Sequence, residues 1–154
     1  ILYFKGDIEN YQTVKEIILF NYGYLSKYNI TTLDSKNGYM IYSSAQAEVT
    51  YTTTYWNLKG GGKLICTEAY SCDTICSSGL SFMTFIDGVY EDLDLIEVIP
   101  ECENINQTLS PHNLNGELLE FKFNLPQNGR DITYCLDDEC LILKWKDDFF
   151  SINK

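Results

Sequence analysis

Six cysteines are the residues best placed to do chemistry in this chain: Cys66, Cys72, Cys76, Cys102, Cys135 and Cys140. An even number of thiols over one stretch of a short chain fits three disulfides, which form and persist in an oxidising compartment. Cys135 and Cys140 flank Leu136-Asp137-Asp138-Glu139. A four-residue turn there sets the two sulfurs opposite one another across a hairpin, so this is the pair the spacing favours. It would pin a turn that adjacent acids push apart. Among Cys66, Cys72 and Cys76, one pair would clamp the 67–75 loop and the third would reach Cys102. Zinc is the rival chemistry, because Cys72-x3-Cys76 and Cys135-x4-Cys140 approach the spacing of paired tetrahedral ligands. Using those four would strand Cys66 and Cys102, and His112 is the only histidine. Disulfides are therefore preferred and no metal site is expected. No Cys-x-x-Cys motif for thiol exchange is present.

Catalytic constellations are thin elsewhere. A Ser-His-Asp or Cys-His centre would have to use His112, which sits in the polar run Ser110-Pro111-His112-Asn113. Gly60-Gly61-Gly62 lacks the glycine spacing and the Lys-Ser/Thr ending of a phosphate loop. Acids are plentiful: Glu91, Asp92, Asp94 and Glu97, then Asp137, Asp138 and Glu139, then Asp147 and Asp148. A hydrolase using paired carboxylates needs two of them across a cleft, one with a raised pKa. Linear order selects no such pair from 22 acids. Asp87-Gly88-Val89-Tyr90-Glu91-Asp92 offers oxygens to calcium, but not at EF-hand positions. No catalytic residue and no cofactor is assigned.

The 12 tyrosines carry more weight, since tyrosine joins a large apolar face to a polar tip and suits interfaces and pockets. Val49, Tyr51, Thr53 and Tyr55 alternate with Thr50, Thr52 and Thr54. That pattern is a strand with an aromatic face and a hydroxyl face. An aromatic face turned to a helix is core. On a curled, partly filled sheet it lines a cavity, and turned outward it binds protein. Tyr51 and Tyr55, with Glu91, Asp92, Asp94 and Glu97 on an acidic strand, are the candidate binding residues.

Charge limits the partners. Lys and Arg number 11 against 22 acids, a formal net charge of -11, and Arg130 is the only arginine. Nucleic acid and anionic membrane surfaces both call for a clustered positive field, so neither is expected. A basic protein or a cation fits, and the same charge keeps a protein soluble. No stretch approaches 18 continuous apolar residues, so no transmembrane segment is expected. The chain opens at Ile1 without a signal-peptide layout, as it would after removal of a signal or if the sequence had been trimmed. Asn29-Ile30-Thr31 and Asn106-Gln107-Thr108 are glycosylation acceptors. With the cysteines, they place the chain outside the cell or on its surface, via the secretory pathway.

These side chains need a scaffold. Ile8, Tyr11, Val14, Ile18 and Tyr22 recur at helical spacing behind Asp7, which predicts a helix over residues 8–21. From residue 28 the period becomes two. Strands are expected over Tyr28–Leu33 and Tyr39–Ser43 about an Asn37-Gly38 turn, then Val49–Tyr55, Leu64–Thr67 and Leu80–Ile86. Ser71–Gly79 reads as a cysteine-bearing loop and Asp87-Gly88 as a turn. Val89–Ile99 reads as further strand, stopped by Pro100, and residues 101–117 as a long surface connection. Leu118–Leu125, Ile132–Leu136 and Leu141–Trp145 complete the set. The expectation is one β-rich extracellular domain, 1–154, predominantly antiparallel with one N-terminal helix and stabilised by disulfides. It is either a β-sandwich or a curled half-barrel.

In outline, a helix followed by a curled sheet is similar to periplasmic lipoprotein carriers and related lipid-binding folds. The acidic, disulfide-bonded β outline is equally similar to secreted domains that capture basic signalling proteins. The function expected is a non-catalytic secreted or surface binding domain that captures a protein partner, a basic one. The alternatives are a carrier of a lipid or other small apolar ligand, held between helix and curled sheet, and the paired-carboxylate hydrolase.

Overall fold

The computed structural model describes residues 28–34, 36–44, 48–102 and 119–153. The helix expected over residues 8–21 lies outside them. Six strands follow one another as an antiparallel meander: β1 (Tyr28–Asp34), β2 (Tyr39–Ser44), β3 (Val49–Asn57), β4 (Lys63–Cys72), β5 (Cys76–Ile86) and β6 (Val89–Leu93). A short helix, α1 (Leu95–Val98), comes next. The second sheet contains β7 (Phe121–Asn124), β8 (Ile132–Leu136), β9 (Glu139–Trp145) and β10 (Phe150–Asn153), in the order β10-β9-β8-β7. This is the two-sheet architecture, and neither sheet closes into a barrel among the described strands. Among the described residues no helix is long and apolar enough to cross a membrane.

Strand alternation decides which residues meet between the sheets. Trp56, Leu64, Cys66 and Phe82 of the first sheet join Ile132, Tyr134, Leu136, Leu143 and Phe150 of the second in one buried cluster, to which Val98 and Ile99 are added. Each of the larger apolar side chains contributes about 1.5–3 kcal/mol on burial. Trp56 shows the fit: its ring meets Phe150 edge-on at 5.0 Å, and its indole N–H donates to the Arg130 carbonyl at 2.8 Å. The opposite face of the first sheet carries a second buried cluster, Met40, Tyr42, Ile65 and Phe85, with Tyr51, Tyr55 and Met83 packed on it.

Three segments differ from the sequence reading. Ser71–Gly79 is mostly strand rather than loop: Ser71, Tyr70 and Ala69 pair with Ser77, Ser78 and Gly79, and Cys72 faces Cys76. Small polar residues gave a loop signal, but the ladder and the disulfide extend both strands to a three-residue turn. Val89–Ile99 is strand only to Leu93. Asp94 then caps α1, and Glu97, three residues on, accepts the Asp94 backbone N–H at 2.8 Å. That reach-back is half of a capping box, which turns the chain out of the extended state. Lastly, β10 was not expected. Asp147, at φ 72, turns the chain after β9, and the alternation of Phe150 and Ile152 then brings both against the core.

Candidate functional site

On the first sheet, the face opposite the second sheet bears a groove of about 480 Å³. The ladder registers explain its construction. Tyr51 pairs with Ala69, Ala69 with Gly79, Thr67 with Ser81, and Met83 with Asp92, so these residues form one patch across β3 to β6. Gly79 adds no side chain, which leaves depth beside Tyr51. Leu80, Phe82, Leu93, Asp94 and Leu95 complete the lining where β6 runs into α1. The walls are apolar and aromatic, and the two side chains of the lining that carry charge at neutral pH are both acids, Asp92 and Asp94. Tyr51 is fixed by stacking on the buried Tyr42, with ring centroids 5.1 Å apart and 14° between planes.

Three of the six expected binding residues, Tyr51, Asp92 and Asp94, therefore share the groove. The other three have different positions. Tyr55 packs over the Asn37-Gly38 turn, where a Cβ on Gly38 (φ 67) would collide with its ring, and Lys63 Nζ lies 4.8 Å from the ring centroid. Tyr55 is thus a packing residue. Glu91 pairs with Thr84 and belongs to the other face of β6, since side chains alternate along a strand. Glu97 is in α1 rather than on a strand, and its carboxylate holds the Asp94 backbone. Met83, Leu93 and Leu95 line the groove but were not singled out from the sequence. Their convergence depends on register across β4, β5 and β6, which no linear spacing encodes.

The cysteines divide. Cys72–Cys76 and Cys135–Cys140 are disulfides, each joining directly opposed residues of a hairpin with Cα atoms 4.0 Å and 4.1 Å apart. The favoured pair is present, but the third bond is not: Cys66 and Cys102 are thiols. Cys66 faces the inter-sheet core, laddered between Thr54 and Phe82, where burial pushes its thiol pKa well up. Cys102 packs against the same cluster. Asn29 pairs with Ser43 in the β1–β2 ladder. Asn106 and His112 lie outside the described residues. Among the described residues no group of three or more His, Cys, Asp or Glu side chains could hold a metal ion.

One acid missed by sequence reading is buried on the inner face of the first sheet. Glu68 is 3% exposed, and its Oε1 has no hydrogen-bond partner among the described residues. Burial pushes its carboxyl up, against the hydroxyls of Ser78 and Thr52 and the charge of Lys122, which pull it down. The hydroxyl face of β3 thus lies against a polar group inside the fold. Ser78 Oγ also accepts the Phe123 N–H at 2.8 Å, tying β5 to β7. No family model, curated protein or solved structure matches the chain.

Proposed function

We propose that this is a non-catalytic binding domain that captures a basic protein partner, with the groove between β3 and α1 taking a lysine or arginine side chain. The observation that carries this reading is the union in one groove of Tyr51 and Met83 with Asp92 and Asp94. A long cationic side chain has an apolar stem and a charged head. The stem matches the walls, and the head matches the two acids. The net charge of -11 would speed encounter with such a partner, while affinity would come from the groove. Secretion or surface display, proposed from the two disulfides and the acidic composition, would give access to partners outside the cell.

The test is calorimetric titration of the native protein and the Asp92→Asn/Asp94→Asn variant with a peptide that alternates lysine and valine. The variant should bind about tenfold more weakly, a difference of about 1.4 kcal/mol, and should lose most of the salt dependence. Equal affinity for the two proteins would refute the reading.

Volume favours a second reading, a carrier of a small apolar ligand. The groove's 480 Å³ lies within the roughly 300–1,000 Å³ usual for small-molecule sites. In that case a fluorescent fatty acid would bind native protein and variant alike, and the peptide would bind neither.

A further inference from the structure

We infer that the basic partner is held as an added strand along the edge of β6 that no described strand pairs, next to the groove; this rests on the capture reading and specifies its geometry. β6 ends the sheet order, and among the described residues its ladder is with β5. The hairpin between them turns on Asp87 and Gly88 at φ 49 and φ 83, both positive as a type I′ turn requires. Ile86 and Val89 are then the closing hydrogen-bonded pair. Alternation along an antiparallel ladder directs the backbone groups of Glu91 and Leu93 to β5 and those of Asp92 away from it. Asp92 thus offers an outward N–H and C=O on the edge while its side chain lies in the groove.

The side chains along this edge specify the occupant. Val89 is 64% exposed, and Leu95 and Ile96 are 41% and 51% exposed beyond the strand. Between them stand the exposed acids Glu91, Asp92 and Asp94. The ion pair recorded among the described residues is Arg130–Asp147, far along the chain, so these acids have no cationic partner among the described residues. A second copy of the same edge would set acid against acid, which opposes self-pairing. The complementary occupant is an extended protein segment in which lysine or arginine alternates with apolar residues. Its backbone would bond to the edge, and one basic side chain would enter the groove.

The test uses the native protein and three peptides: the lysine–valine peptide, the same peptide N-methylated at every lysine, and the same peptide N-methylated at every valine. Charge and side chains are kept, and each methylated form loses the backbone donors of one edge. The expected result is that one methylated form binds at least about tenfold more weakly than the parent peptide. The parent should also slow amide exchange at Asp92. If both methylated forms bind like the parent, or the Asp92 amide exchanges unchanged, strand addition is overturned while groove capture stands. If the parent peptide itself does not bind, both fail.

Discussion

Glu68 is the residue at which the interior departs furthest from ordinary core chemistry. Its carboxyl is buried beside Thr52 and Ser78, and burial outweighs the hydroxyls and Lys122 in setting its pKa, which is raised. A carboxyl whose folded-state pKa exceeds its unfolded value costs nothing at acid pH. It removes stability as pH rises from the unfolded value through the folded one. Glu68→Gln keeps the shape and removes the titration. The variant should equal the native protein at acid pH, where both side chains are neutral, and should melt at a higher temperature than the native protein at neutral pH. Thermal melts across that range decide it. A variant that matches the native protein at acid pH but falls below it as pH rises would mean that the Lys122 charge makes the ionised acid a net stabiliser. Glu68 was hidden in the sequence because the expected strand, Leu64–Thr67, stops one residue short of it, whereas the observed strand runs on to Cys72. Only the second sheet reveals that position 68 faces inward.

Among the elements, hairpins were the most legible. Asn37-Gly38 and Asp87-Gly88 announce turns because few residues tolerate positive φ, and both turns form there. Cys135 and Cys140 were legible as a pair because their spacing brackets a turn, expected to be four residues long. The structure makes that turn two residues long, Asp137 and Asp138, with Leu136 paired to Glu139. Replacing both cysteines by serine should lower stability by about 2 kcal/mol, the cost of freeing a short loop in the unfolded chain. The urea midpoint should fall by ~1 M. An unchanged midpoint would mean that the turn, not the bond, closes the hairpin. Less legible was the change from β6 to α1. The apolar alternation of Leu93 and Leu95 favoured strand, although Asp94-Leu95-Ile96-Glu97 has the acid spacing of a helix start. Local capping and the burial of Val98 and Ile99 decide the outcome.

At the scale of the whole molecule, two sheets share one buried cluster, leaving the first sheet's far face to carry the groove. Class and strand content follow from period-two patterning, which needs no long-range information. The groove does need it: Tyr51, Met83 and Asp92 are far apart in sequence and meet only through the registers of β3 to β6. Tyr51 was recognisable as an amphipathic strand residue and Asp92 as part of an acidic segment, but their proximity was not. Tyr55, identical in type and phase to Tyr51, packs on the Gly38 turn instead. The most direct test of the account is a nuclear magnetic resonance titration of the isotopically labelled protein with the lysine–valine peptide. The predicted footprint is Tyr51, Met83 and the run Asp92 to Leu95, with the acids Asp137, Asp138 and Glu139 at the far hairpin unmoved. Shifts centred on that hairpin, or spread evenly over the acids of both sheets, would contradict capture by the groove.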